Sequence, residues 1–167
     1  MNTIYHLSHI DLDGYSCQLV MREAYANMAF YNANYGAEVG ERLNEILEAI
    51  RDKKESASIL ITDLNLTMDE SKWLDKEIEK LRDYEKIEVK LQLLDHHGSG
   101  EDSAKKFDWY FLDTMRSATQ ITYDYVLEHF ELSDDAKSWL PPYVAIVDAV
   151  DLWHQDKHDA FEYGKVC

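Results

Sequence analysis

The chain has 167 residues, 46% of them hydrophobic and 12% aromatic, which suits one domain with a real core and argues against disorder. It carries 33 Asp and Glu against 17 Lys and Arg, a net charge of −16, so its surface repels long polyphosphates and speaks against a long duplex nucleic-acid partner. No apolar run approaches the ~18 residues of a membrane span. The stretch from Met1 to His6 lacks the basic segment and apolar core of a signal peptide. The expectation is a soluble cytoplasmic protein with no membrane partner. Cys17 and Cys167 suggest no disulfide framework.

Apolar and turn signals alternate as β-α-β-α, which predicts an α/β domain with a five-stranded, mostly parallel sheet and helices on both faces. Residues 4–9 read as a first strand, running into Asp11-Leu12-Asp13-Gly14. A helix is expected over 15–27, an aromatic-rich strand over 28–35, and an amphipathic helix over 41–53. Residues 58–62 form the near-continuous apolar run of a buried parallel strand, stopping at Asp63. A charged helix over 68–81 places Trp73, Leu74, Ile78 and Leu81 on its inner face. Residues 89–94 read as another buried strand, stopping at Asp95-His96-His97-Gly98. A short edge strand over 109–112 and a helix over 117–130 follow. Pro141-Pro142 is expected to open a last helix through Ala149 to Trp153, because proline suits a helix's first turn.

Three predicted strands therefore end in acid: at Asp11 and Asp13, at Asp63, and at Asp95 with His96 and His97. In an open parallel sheet the carboxyl ends of the strands share one edge, where ligands bind. A single Asp at such a place has an ordinary reading, since Asp favours turns and caps. A strand running into His9-Ile10-Asp11-Leu12-Asp13, however, has no packing reason to be so polar, and Asp95-His96-His97 repeats the anomaly. Carboxylates packed this closely repel one another and take up protons unless cations intervene. The mixture of carboxylate and imidazole suits Mn²⁺, Fe²⁺, Zn²⁺ or Mg²⁺, and the imidazoles tilt the choice towards Mn²⁺.

His9-Ile10-Asp11-Leu12-Asp13-Gly14, the lone Asp63 and Asp95-His96-His97 resemble, in order and rough spacing, the first three motifs of the DHH phosphoesterases. That superfamily includes RecJ-like exonucleases, nanoRNases, cyclic-dinucleotide phosphodiesterases and manganese pyrophosphatases. The resemblance covers essentially the whole chain. It implies two divalent ions, most simply Mn²⁺, with Mg²⁺, Fe²⁺ and Co²⁺ as alternatives. His9 and Asp11 would ligate the first ion, Asp13 and His96 the second, and Asp63 both. His97 would contact the scissile phosphate or act in proton transfer, and Asp95 would orient the histidines. A fourth motif supplies a further Asp, for which Asp151 and Asp148 are both candidates. Asp151 is favoured because Asp151-Leu152-Trp153 resembles the nanoRNase branch. Arg116-Ser117-Ala118-Thr119 resembles a segment of the same branch that opens a helix after the third motif; a helix N-terminus there is able to face phosphate, which makes Arg116 and Ser117 substrate-binding candidates, and an ordinary helix cap is an equally good reading.

The implied activity is phosphoester hydrolysis by metal-activated hydroxide. Short oligonucleotides (a nanoRNase-type exonuclease) or 3′-phosphoadenosine 5′-phosphate are the favoured substrates. A cyclic-dinucleotide phosphodiesterase or a pyrophosphatase is the alternative within the superfamily; a non-catalytic module binding nucleotide or metal is the alternative outside it. Family members carry a second, substrate-binding domain, which the resemblance does not find in residues 1–167, and a homodimer is left open. His154 and His158, among polar neighbours such as Gln155 and Asp159, read as an exposed tail. His6 reads as packing, as do Tyr31, Tyr35, Trp109 and Tyr110, although aromatic rings there are also able to stack a base. Ser8 and Ser16 flank the first motif within reach of phosphate, though serine beside a turn needs no such role.

Overall fold

The computed structural model describes residues 2–154, 156–158 and 160–164. Its element order is β1 (Thr3–Ser8), α1 (Leu12–Ala24), β2 (Met28–Asn32), α2 (Ala37–Lys53), β3 (Ala57–Thr62), α3 (Met68–Asp83), β4 (Val89–Asp95), α4 (Glu101–Lys106), β5 (Tyr110–Leu112), α5 (Ala118–His129), α6 (Asp134–Asp151) and α7 (Ala160–Tyr163). The five strands form one sheet in the order β2-β1-β3-β4-β5. Every pairing is parallel, where a mostly parallel sheet was expected.

Side chains alternate between the two faces with period two. Tyr5, Leu7, Ile59, Ile61, Leu91 and Leu93 meet α2 and α3 in one core. Ile4, Leu60 and Leu94 meet α1, α5 and α6 in a second. Both faces being covered explains why β3 reads as an unbroken apolar run. From β1 the chain crosses to β2 on one side and to β3, β4 and β5 on the other, so the sheet switches direction between β1 and β3. The crevice beyond the carboxyl ends of those two strands is where such sheets bind ligands.

Several boundaries differ from the sequence expectation for local reasons. α1 starts at Leu12, not Tyr15, because the Asp11 side chain accepts the Gly14 N–H and caps the helix. β2 is shorter, and α2 begins at Ala37. The largest correction is α6. Pro141 and Pro142 do not open it; they lie inside a helix capped by Ser133, with Asp134 and Asp135 in its first turn. Ala136, Leu140, Val144 and Val147 are all buried at helical spacing, and their burial outweighs the backbone hydrogen bonds the prolines cannot donate. α4 and α7 went unread, both too short for a periodicity signal. Cys17 is buried and unpaired. Gln155, Asp159 and Cys167 lie outside the described residues. Among the described residues no helix is long and apolar enough to cross a membrane.

Candidate metal centre

Five elements deliver the polar residues to the switch point. His9 follows the end of β1, Asp11 caps α1, and Asp13 sits in its first turn. Gly14 is needed for this fold-back: a Cβ there would lie 2.4 Å from the His9 carbonyl oxygen. Asp63 follows β3 with φ +56°, a left-handed conformation that Asp tolerates better than most residues. Asp95 ends β4 and is followed by His96 and His97. α6 supplies Asp151 at its C-terminal end.

The side chains converge on two adjoining groups. In the first, His9 Nδ1 lies 2.8 Å from Asp11 Oδ2 and 3.8 Å from Asp63 Oδ2. In the second, His96 Nε2 lies 3.7 Å from Asp13 Oδ2 while its Nδ1 lies 3.6 Å from Asp151 Oδ2. Asp63 stands between them, with Oδ1 3.3 Å from His96 Nε2. His9-Asp11-Asp63, Asp13-His96-Asp151 and Asp63-His96-His97 each gather their ligand atoms tightly enough to hold one ion.

The cluster's own electrostatics are adverse. Burial first, and then the charges of Asp13 and Asp11, push Asp63 up to about 11. Burial and the same two neighbours raise Asp151 to about 7. Burial also raises Asp13, although both its oxygens accept backbone N–H groups, from Ala118 and Thr119 at 2.8 Å each. Burial and the adjacent His97 lower His96. Three buried atoms in the cluster, His9 Nδ1, Asp63 Oδ2 and Asp151 Oδ2, have no hydrogen bond. His9 Nδ1 is at contact distance from Asp11 but off the hydrogen-bond direction. Buried polar atoms are seldom left so. Divalent cations would neutralise the repulsion and meet the orphaned atoms, so the donor set fits them.

Beside the cluster runs a hydrogen-bonded chain. Tyr110 donates to Asp95 Oδ2 at 3.2 Å, and His97 Nδ1 lies 2.7 Å from Asp95 Oδ1. His97 Nε2 lies 2.9 Å from the Tyr35 hydroxyl. Burial works against protonating His97, but the Asp95 bond and charge prevail and raise it. Tyr35 also packs its ring 4.4 Å from that of His9. Sequence reasoning placed Tyr35 among packing aromatics; only the turn after β2, which periodicity does not resolve, brings it over the two histidines.

The other candidates are placed differently. Asp148 Oδ1 accepts the Ser117 N–H at 2.7 Å and is absent from the three groups. The Ser117 hydroxyl caps α5 through the Gln120 N–H. The first N–H groups of α5 are thus taken by Asp148 and Asp13. Arg116 pairs with Asp113 at 2.8 Å and with Asp124. Ser8 bonds the Gly14 carbonyl and Thr62, and Ser16 bonds the Leu12 carbonyl and Tyr143. His6 is buried against Thr62 Oγ1 at 2.8 Å, and burial lowers it to about 3. Tyr31 packs near Tyr5 and Trp109 donates to Asp75. His154 and His158 join none of the metal-holding groups found among the described residues.

No family model matches the chain. It is 47% identical over 169 residues to a 3′,5′-cyclic-nucleotide phosphodiesterase of Helicobacter pylori, a match covering 100% of this chain and 48% of that protein. It also superimposes on the crystal structure of an uncharacterized protein from Helicobacter pylori G27, with a TM-score of 0.94 and 47% identity, over 100% of this chain and 48% of that one. The chain spans about half the length of the curated relative it matches.

Proposed function

We propose that residues 1–167 form the metal-holding domain of a two-metal phosphodiesterase that acts on small nucleotides. The carrying observation is Asp63. Its two oxygens face different ligand groups, Oδ2 towards His9 and Oδ1 towards His96, from a buried left-handed turn. In this reading His9, Asp11 and Asp63 would hold one cation, and Asp13, His96 and Asp151 together with Asp63 would hold the other, with Mn²⁺ the best match to the mixed imidazole and carboxylate donors. Ions held there would lower the pKa of bound water towards neutrality and offset the charge that develops on a phosphate ester.

The chain's own groups do the rest. Asp13 is locked by the α5 N-terminus, so its carboxylate needs no reorganisation when a ligand arrives. Asp95 accepts from His97 Nδ1, which aims the imidazole and leaves Nε2, beside the Tyr35 hydroxyl, as the ring nitrogen that would pass a proton to the leaving oxygen. The name of the 47%-identical relative supports a 3′,5′-cyclic nucleotide as substrate. A second reading, a dinucleotide or short oligonucleotide, is favoured by Asp151-Leu152-Trp153, whose indole is 79% exposed just beyond the cluster's Asp151.

The test is Mn²⁺ calorimetry on the chain and on Asp63→Asn, a substitution that keeps the shape and tolerates the left-handed turn. Hydrolysis of 3′,5′-cyclic AMP and of a dinucleotide is assayed alongside. The expected result is two sites in the parent, at most one weakened site in the variant, and hydrolysis reduced at least ~100-fold. Absence of Mn²⁺ binding by the folded parent, or equal hydrolysis by the variant, would overturn the proposal. Two tight Mn²⁺ sites in the parent, lost or weakened in the variant, would establish the metal centre even where residues 1–167 alone turn over neither substrate, because substrate positioning supplies much of the rate.

A further inference from the structure

The cavity of about 610 Å³ at the opposite, amino-terminal edge of the sheet has a different chemistry from the rest of the molecule. It lies on the face covered by α1 and α5, between the C-terminal ends of those helices, over the first residues of β3 and β4. Among its lining residues are Lys90, Arg82 and His129, and none is acidic. In a chain with 33 acids and a net charge of −16, that is an unusual local balance. Glu128 lines the adjoining smaller groove, not this cavity.

The two cations are differently prepared. Arg82 is fixed, since its Nε and Nη2 both donate to the Val89 carbonyl, at 2.9 and 2.6 Å. The Lys90 side chain has no hydrogen-bond or ion-pair partner among the described residues, and β4 directs it to the same face as Leu94. The walls are aromatic: Tyr25 and Phe130 meet edge to face at 5.8 Å, and Tyr125 stacks on His129 at 4.2 Å. The volume falls within the range of small-molecule sites. Apolar ring surface beside a free ammonium and a fixed guanidinium is the pattern that accepts a flat aromatic group carrying a negative charge.

We infer that this cavity is a second binding site, separate from the acidic cluster, for a small aromatic anion of nucleoside-monophosphate size. The ring system lies against Tyr25, Tyr125 and Phe130, and the anion meets Lys90 and Arg82. This does not depend on the phosphodiesterase reading, because it uses none of the cluster's residues.

The experiment is calorimetric titration of the chain with 5′-AMP in low-salt buffer containing EDTA, which denies the nucleotide any metal at the acidic cluster. Adenosine and inorganic phosphate are titrated as the two halves of the probe. The expected result is one site for 5′-AMP, with either half binding at least about tenfold more weakly. Lys90→Glu, an exposed substitution checked for folding by circular dichroism, is expected to weaken it by about fivefold to tenfold. Asp63→Asn is expected to leave it within about twofold, since that residue lies at the opposite sheet edge. No binding of 5′-AMP, or binding insensitive to Lys90→Glu, overturns the proposal. So does binding that fails in Asp63→Asn and survives in Lys90→Glu, which would put the nucleotide in the acidic cluster and leave the phosphodiesterase reading standing. Phosphate binding as tightly as 5′-AMP would remove the aromatic part of the claim.

Discussion

The face of the sheet under α2 and α3 and its carboxyl edge are built from the same strands, yet they obey opposite rules. On the face, Leu7, Ile61 and Leu93 stand in register across three strands, each fully buried. Above them α3 begins with a complete capping box, in which Thr67 and Glu70 satisfy each other's backbone N–H groups. One or two residues further along the same strands, Asp63 takes a left-handed turn, three buried polar atoms go unpartnered, and burial and neighbouring charge push the carboxyl groups of Asp63 and Asp151 well above the usual carboxylate range. Local propensity, packing and polar satisfaction agree on the face and conflict at the edge. Such conflict is expected where a site is kept for a ligand, with the stability supplied elsewhere.

The largest effect expected from this contrast is a loss of stability with no loss of site. Leu74 on α3 is fully buried in the core of that face. Leu74→Ala is expected to cost about 2–5 kcal/mol in urea unfolding, while Mn²⁺ affinity at a temperature where the variant is folded stays unchanged. An equal fall in Mn²⁺ affinity would show that the two regions are one cooperative unit and would dissolve the comparison.

A medium-sized effect separates the regions by pH. An acid whose folded pKa is raised destabilises the fold as pH rises above its unfolded value. Asp151 therefore acts from about 3.8 to about 7, and Asp63 from about 3.8 to about 11. His97, raised in the fold, adds in the same direction above 6.5. His96 and His6, lowered in the fold, act only below 6.5. Between pH 6.5 and 9 the metal-free chain should lose thermal stability, by about 2–4 °C for each kcal/mol involved. With Mn²⁺ present the slope should flatten or reverse, because the metal replaces those protons. A melting series in EDTA that is flat over this range would contradict the strain assigned to the carboxyl edge.

How much of this was legible in the sequence follows the same division. The buried strands and the α3 face were readable because apolar periodicity is a local signal. His9, Asp11, Asp13, Asp63 and His96 stood out because polar residues interrupted that pattern just where strands end. What could not be read were facts of tertiary placement. α6 runs through Pro141-Pro142 because its inner face is buried, and that lets its last turn present Asp151 while Asp148 turns to the α5 N-terminus. The occupation of that N-terminus by Asp13 links residues more than a hundred positions apart, which no spacing rule reveals.

The smallest effect tests whether the edge has a finer division within it, on the phosphodiesterase reading. Tyr35 touches the cluster in two ways: by its ring, against His9, and by its hydroxyl, against His97 Nε2. The ring contact bears on the ion held by His9, and the hydroxyl on how His97 is aimed. Tyr35→Phe removes one neutral hydrogen bond, of the order of 0.5–1.5 kcal/mol, and keeps the ring. It is expected to lower kcat about threefold to tenfold while leaving KM and Mn²⁺ affinity unchanged. Tyr35→Ala should in addition weaken Mn²⁺ binding, since His9 loses the surface it lies on. If Phe and Ala behave alike in both measurements, Tyr35 acts as one wall and not as two separable contacts. If Phe matches the parent in kcat, the hydroxyl has no part in positioning His97, and the chain from Tyr110 through Asp95 ends at the imidazole.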